Sequence, residues 1–138
     1  MKTTARSVQA QGTTSTAHGA RSDLLRAWTA EFDAARVARA EHDQAGEWSH
    51  LERAHILSQP MAWPHVRTHV AMLAAGVRRR DRREVLGQLA RVLLAAPGSL
   101  SGKYPPGNTG GASVSAFRPM PIPQDLQEVL DGAASATR

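Results

Sequence analysis

The stretch EWSHLERAHILSQPMAWPHVRTHVAML, residues 47–73, holds four of the six histidines and two of the three tryptophans of this 138-residue chain. Trp48, Leu51 and His55 recur at spacings of three and four, so 47–58 is expected to form an amphipathic helix with its histidine turned inward. Pro60 and Pro64 bracket a short connection, and Pro64 suits the first turn of a following helix over 64–79, where its missing N–H costs nothing. Val66, His69, Val70, Leu73 and Val77 mark one side of that helix. The two segments together form a helical hairpin that brings His55, His65 and His69 toward one another across its loop.

Working outward, Ser22 is a plausible N-cap for a helix over 22–41 with Leu25, Trp28, Phe32 and Ala35 as its buried stripe. Asp81 stands three residues before Glu84, a capping-box arrangement expected to open a helix over 82–96. Val85, Leu86, Leu89, Val92 and Leu93 are its expected core residues, and Pro97 and Gly98 its stop. Residues 97–123 are too rich in Gly and Pro for regular structure, and Tyr104 and Phe117 are the expected anchors of this segment across the helices. A short helix over 124–130 closes the chain. The expected fold is therefore all-α: two tetratricopeptide-like helical hairpins, a long irregular Gly/Pro-rich segment and a short C-terminal helix. Its boundaries are a disordered tail over 1–21, a single helical domain over 22–131 and a frayed tail over 132–138. A shift of 38 residues superposes Phe32 on Val70, Asp43 on Asp81 and Leu51 on Leu89, although the period exceeds that of a tetratricopeptide repeat and its signature residues are mostly missing. Trp48 is expected between the hairpins, where truncation to Ala costs about 3–5 kcal/mol.

Composition excludes several functions. Without cysteine there is no disulfide framework, thiolate metal site or cysteine nucleophile. The net charge of +5 is supplied almost wholly by arginine, mixed with acidic residues along the helices. The dense run RRRDRR, residues 78–83, falls at an expected helix end, where cations complement the helix dipole. No base-reading motif or aromatic stacking set accompanies the charge, so nucleic acid is not the expected partner. The first 21 residues contain no apolar run of signal-peptide length and no span of membrane length follows, so a soluble, cytoplasmic protein is expected. The loop GKYPPGNTGG lacks the Ser or Thr after its Gly-Lys that a phosphate-binding loop needs, and no serine sits in a nucleophile elbow.

The phrases LERAHILSQ, HVRTH followed by ML, LLAAPGSLSGKYPPGNTGG and FRPMPIPQDL resemble the bacterial family 3703 of domains of unknown function, from about Asp33 to Leu130. The resemblance implies a bacterial source and a small helical domain, and brings no activity with it.

Two function classes follow from the residues themselves. In the first, the chain is a non-catalytic interaction module whose hairpins offer a groove to a protein or peptide, or to a second copy of the chain. In the second it binds a transition metal. Glu52 and His55 lie three apart and His65 and His69 four apart, both spacings that share a helix face and both familiar among metal ligands. Glu52, His55, His65 and His69 are the candidate ligands, with Met72 as a soft addition, and a nitrogen-rich set favours zinc, nickel, copper or iron over calcium or magnesium. The alternative for the same residues is a hydrogen-bonded polar core cluster. An enzyme ranks third, resting only on the histidines. His18 and His42 are expected to be solvated, and His50 to lie at the surface.

Overall fold

The computed structural model describes residues 4–136, with side chains from His18 onward. Five helices are present: α1 (Thr4–Ala40), α2 (Gln44–Ser58), α3 (Ala62–Arg78), α4 (Arg82–Ser101) and α5 (Gln124–Ser135). There is no strand among the described residues. Helix α1 packs on α2, α3 on α4 and α2 on α3, while α5 lies against α1 and α2. The backbone between α4 and α5 runs through turns and irregular structure.

The 38-residue correspondence is realised in the two interhelix turns. At the end of α1, His42 N–H donates to Arg39 O at 3.1 Å and Asp43 N–H to Ala38 O at 2.9 Å; at the end of α3, Arg80 donates to Val77 O at 3.1 Å and Asp81 to Gly76 O at 3.0 Å. Each turn is a Schellman closure with a left-handed residue, His42 at φ 62° and Arg80 at φ 57°. The next residue in each case caps the following helix: Asp43 Oδ1 accepts from Gly46 N at 2.9 Å, and Asp81 Oδ1 from Glu84 N at 3.0 Å. The arginine run straddles the second turn. Arg78 pairs with Glu47, and the Arg79 guanidinium lies 5.1 Å over the Trp48 ring.

Two apolar clusters hold the helices. Leu24, Trp28, Ala54, Ile56, Leu57, Met61 and Leu126 join α1, α2 and α5, and Ala35, Leu51, Met72 and Ala75 join α1, α2 and α3. Trp28 is the tryptophan of the core; its Nε1–H donates to Thr68 Oγ1 at 3.0 Å, which satisfies the indole in the interior. Trp48 packs against the second of these clusters, at the seam of the two hairpins, but is half-buried rather than buried, with its indole N–H on Glu52 at 3.0 Å. Leu24 is buried where Leu25 was expected.

Helices α2 and α3 begin slightly earlier than expected, at Gln44 and Ala62, and three other boundaries differ more from the sequence-based expectation. Helix α1 begins at Thr4, so Ser22 does not cap it; inside the helix its hydroxyl accepts from Arg26 Nη1 at 3.0 Å. Of the tail expected over 1–21, residues 1–3 and the side chains of 4–17 lie outside the described residues, as do 137–138 of the tail expected over 132–138. Helix α5 continues to Ser135. Helix α4 runs through Pro97 to Ser101 and ends at Gly102, whose φ of 66° lets the chain turn left-handed. Proline removes one internal donor from the ladder, and here it does not break the helix.

The facing of α4 is the main departure. Glu84, Gln88 and Ala95 are its buried residues, and Leu86, Leu93 and Leu100 are 69%, 78% and 80% exposed. The polar side of the helix is turned inward because what it meets there is polar: His69 at Gln88, and the Ala112 backbone N–H at Glu84.

Candidate metal centre

Helix α2 supplies His55 from its last turn, and α3 supplies His65 and His69 from its first two turns, one helical turn apart. All three are buried. Their Nε2 atoms form a nearly equilateral triangle: 3.0 Å from His65 to His55, 3.1 Å from His55 to His69 and 3.2 Å from His69 to His65. The ring centroids are 4.6–4.8 Å apart, edge-on or tilted rather than stacked.

The opposite nitrogen of each ring is held by a separate acceptor. His55 Nδ1 lies 2.7 Å from the backbone oxygen of Asn108, which can only accept. His69 Nδ1 lies 2.7 Å from Gln88 Oε1, and that amide is oriented unambiguously because its Nε2 donates to Gly110 O at 2.8 Å and to Glu84 Oε1 at 2.6 Å. His65 Nδ1 lies 2.8 Å from Ser99 Oγ, whose own proton goes to Gln59 O at 2.6 Å. Each Nδ1 therefore carries the ring proton, and each Nε2 presents a lone pair. Three lone pairs meet at hydrogen-bond distance with no hydrogen between them.

Protonation does not relieve this. Burial is the first cause lowering all three pKa values: His65 falls to about 4, opposed by the backbone carbonyl of Ala95, and His69 to about 3, with the His65 charge as a further cause. His55 is held well below 6.5 by burial and then by the charges of His69 and His65. The imidazoles are neutral at physiological pH, the form that ligates a metal.

The supporting shell is itself fully bonded. Asn108 Oδ1 accepts from Gly110 N at 2.9 Å, and its Nδ2 donates to Ser115 O at 2.9 Å and Arg118 O at 2.8 Å, so its backbone carbonyl is fixed toward His55. Glu84 accepts from Ala112 N at 2.9 Å and from Gln88, completing a chain of bonds from loop backbone through carboxylate and amide to His69. Gly110 sits at φ 82°, and a Cβ there would fall 2.6 Å from the His55 ring. Only glycine permits both the turn and the approach.

Glu52 is not in the group that could share an ion, which comprises His55, His65 and His69. Its carboxylate accepts from the Trp48 indole, and burial raises its pKa against that bond. Met72 is fully buried among Ala35, Leu51 and Ala75, with its sulfur 3.8 Å from Gln88 Nε2, behind the histidines. His18 and His42 are exposed, and His50 Nδ1 contacts Glu31 at 2.7 Å. Tyr104 is half-buried, whereas Phe117 is 81% exposed and anchors nothing; the buried Asn108 is what ties the irregular segment down. Sequence reasoning missed Gln88, Ser99 and Asn108. The four-residue step from Glu84 to Gln88 was a visible signal for the first, while no local pattern marks the other two.

In front of the triangle lies a cavity of ≈ 100 Å³ whose walls include the three histidines, Arg91, Lys103 and Tyr104. No helix of the described residues is long and apolar enough to cross a membrane. No curated protein and no solved structure matches the chain. The family model described as a protein of unknown function, DUF3703, matches residues 22–130, well over half of the chain and all of the histidine centre, and the chain belongs to that family.

Proposed function

We propose that the protein binds one first-row transition metal ion, zinc foremost, through Nε2 of His55, His65 and His69. The observation that carries this is the convergence of three neutral Nε2 lone pairs at 3.0–3.2 Å with every Nδ1 proton committed to another acceptor. A purely structural histidine cluster would donate from one ring to the next, and these rings have no proton left to donate. An ion about 2.0–2.1 Å from each nitrogen would see pairs of them at about 100°, a facial set close to tetrahedral with its fourth position open. Three nitrogens without sulfur also suit nickel, copper or iron. The hydrogen bonds from Nδ1 are the outer-shell contacts that fix tautomer and ring orientation in metal sites. A metal held this way supplies a Lewis acid with one exchangeable position.

The test is calorimetric titration of the untagged chain with zinc near neutral pH. One equivalent should bind to the wild type and to Glu52→Gln, and none with comparable affinity to His65→Ala or His69→Ala. Absence of a stoichiometric heat in the wild type would sink the reading.

A second reading, an interaction module built on the paired hairpins in the manner of tetratricopeptide-like units, is supported by the exposed Leu86, Leu93 and Leu100 of α4. If the partner is another copy of the chain, light scattering should give twice the chain mass, falling to the monomer with Leu93→Glu. A monomeric wild type removes self-association from this reading.

A further inference from the structure

The cavity before the histidines is charged with one sign. Arg91 from α4 and Lys103 from the irregular segment are the charged residues of its wall apart from the imidazoles, and no Asp or Glu lines it. Arg91 is partly buried, and its Nη2 donates to Val114 O at 2.8 Å, which positions the guanidinium. The ion pairs among the described residues do not include it. Glu84 acts on it electrostatically while its carboxylate is engaged by Ala112 N and Gln88. Arg91 in turn is close enough for its charge to oppose protonation of both His55 and His69.

A divalent ion on three neutral imidazoles would add two positive charges to a wall that already carries two. Concentrating that charge in a partly desolvated pocket is costly unless an anion enters with it. The volume, ≈ 100 Å³, leaves room beside the histidines for a small polyatomic anion. A guanidinium is the side chain that matches the paired oxygens of a carboxylate or phosphate.

We infer that the open position of the metal takes a small oxyanion of carboxylate or phosphate type, one oxygen on the metal and another on Arg91, with Lys103 and Tyr104 at the mouth. This rests on the three-histidine metal reading. The fixed Arg91 then selects what may share the ion, and neutral or cationic ligands are disfavoured by the same wall.

The experiment uses the full chain loaded with cobalt(II), whose visible spectrum reports its coordination. Acetate and phosphate are titrated separately at constant ionic strength. The wild type should take up one cobalt and show a saturable spectral change, and the anion with the lower half-saturation identifies the kind of oxyanion. Arg91→Met should still take up one cobalt, at least as tightly as the wild type because a nearby positive charge is gone, but need roughly tenfold to a hundredfold more anion, as loss of one charge-assisted contact predicts. Arg91→Lys, which keeps stem and charge, should fall between the two and carries the comparison if Arg91→Met does not fold. A cobalt spectrum indifferent to both anions, or an Arg91 variant with wild-type half-saturation, overturns the inference and leaves the metal site standing. A chain that takes up no cobalt overturns both.

Discussion

Acid should unfold the metal-free protein at a pH where most helical domains remain intact, with a midpoint between about pH 5 and pH 4. Unfolded histidine titrates at about 6.5, whereas in the fold His65 titrates at about 4, His69 at about 3 and His55 well below the ordinary value. The folded values are depressed, so the stabilisation they reflect is complete above about pH 6.5 and drains away as pH falls toward the folded values. By pH 5 the unfolded chain has gained about 2 kcal/mol from the proton on each of His65 and His69, or about 4 kcal/mol for the two, and His55 adds to this in the same direction. That approaches the lower end of the stability of a small domain, about 5–15 kcal/mol. Glu52, whose carboxyl is raised by burial, acts in the opposite sense inside this window, as pH falls through its raised value toward the ordinary one, and offsets a part of the loss. Far-UV circular dichroism of the chelator-treated protein measures the midpoint, and His65→Gln should flatten the pH dependence by about a third. A midpoint near pH 3, unchanged in that variant, would show that the histidines are not buried neutral groups.

Zinc should move the thermal midpoint in the other direction. With free zinc a hundredfold above its dissociation constant, binding to the native state alone adds about 2.7 kcal/mol, roughly 10 °C for a domain of this size. His69→Ala, which removes one of three ligands, should lose the whole increment. Proton competition, expected to begin near pH 6 from an ordinary histidine, is displaced downward because the buried rings stay neutral. The zinc-loaded protein should accordingly outlast the metal-free one in an acid titration. Equal melting of the wild type with and without zinc at neutral pH would remove the metal reading.

The helices were legible because their apolar residues recur at helical spacing, and Asp81 caps α4 as its step to Glu84 indicated; Asp43, read as loop, caps α2, and Ser22, read as a cap, lies inside α1. The three histidines were legible for the same reason: their spacing and the short Pro60–Pro64 connection leave them few places to point. Helix α4 was misjudged because hydrophobic periodicity assumes an oily neighbour. Its Leu86, Leu89 and Leu93 make a good stripe, yet Glu84 and Gln88 are the residues that face inward, where histidine protons and loop backbone need acceptors and donors. Pro97 looked like a stop, which would have put Ser99 in a loop; instead Ser99 lies in the last turn of α4 and holds His65. Asn108 had no signal at all, since its contact with His55 is made through a backbone oxygen that any residue carries.

The three histidines lie within fifteen residues of one another, whereas the groups that hold them come from 19, 34 and 53 residues further along the chain. Closing a loop of ten residues takes about 10–100 ns, so a nascent α2–α3 hairpin can capture an ion before α4 has docked. Gln88, Ser99 and Asn108 then arrive later and choose the tautomers. On the metal-binding reading, acquisition and retention should therefore separate in time: the early complex should exchange its ion freely, and docking of the second half of the chain should convert it into one that releases the ion slowly. A substitution in α4 or the irregular segment should shorten the residence time of the ion far more than it slows its uptake.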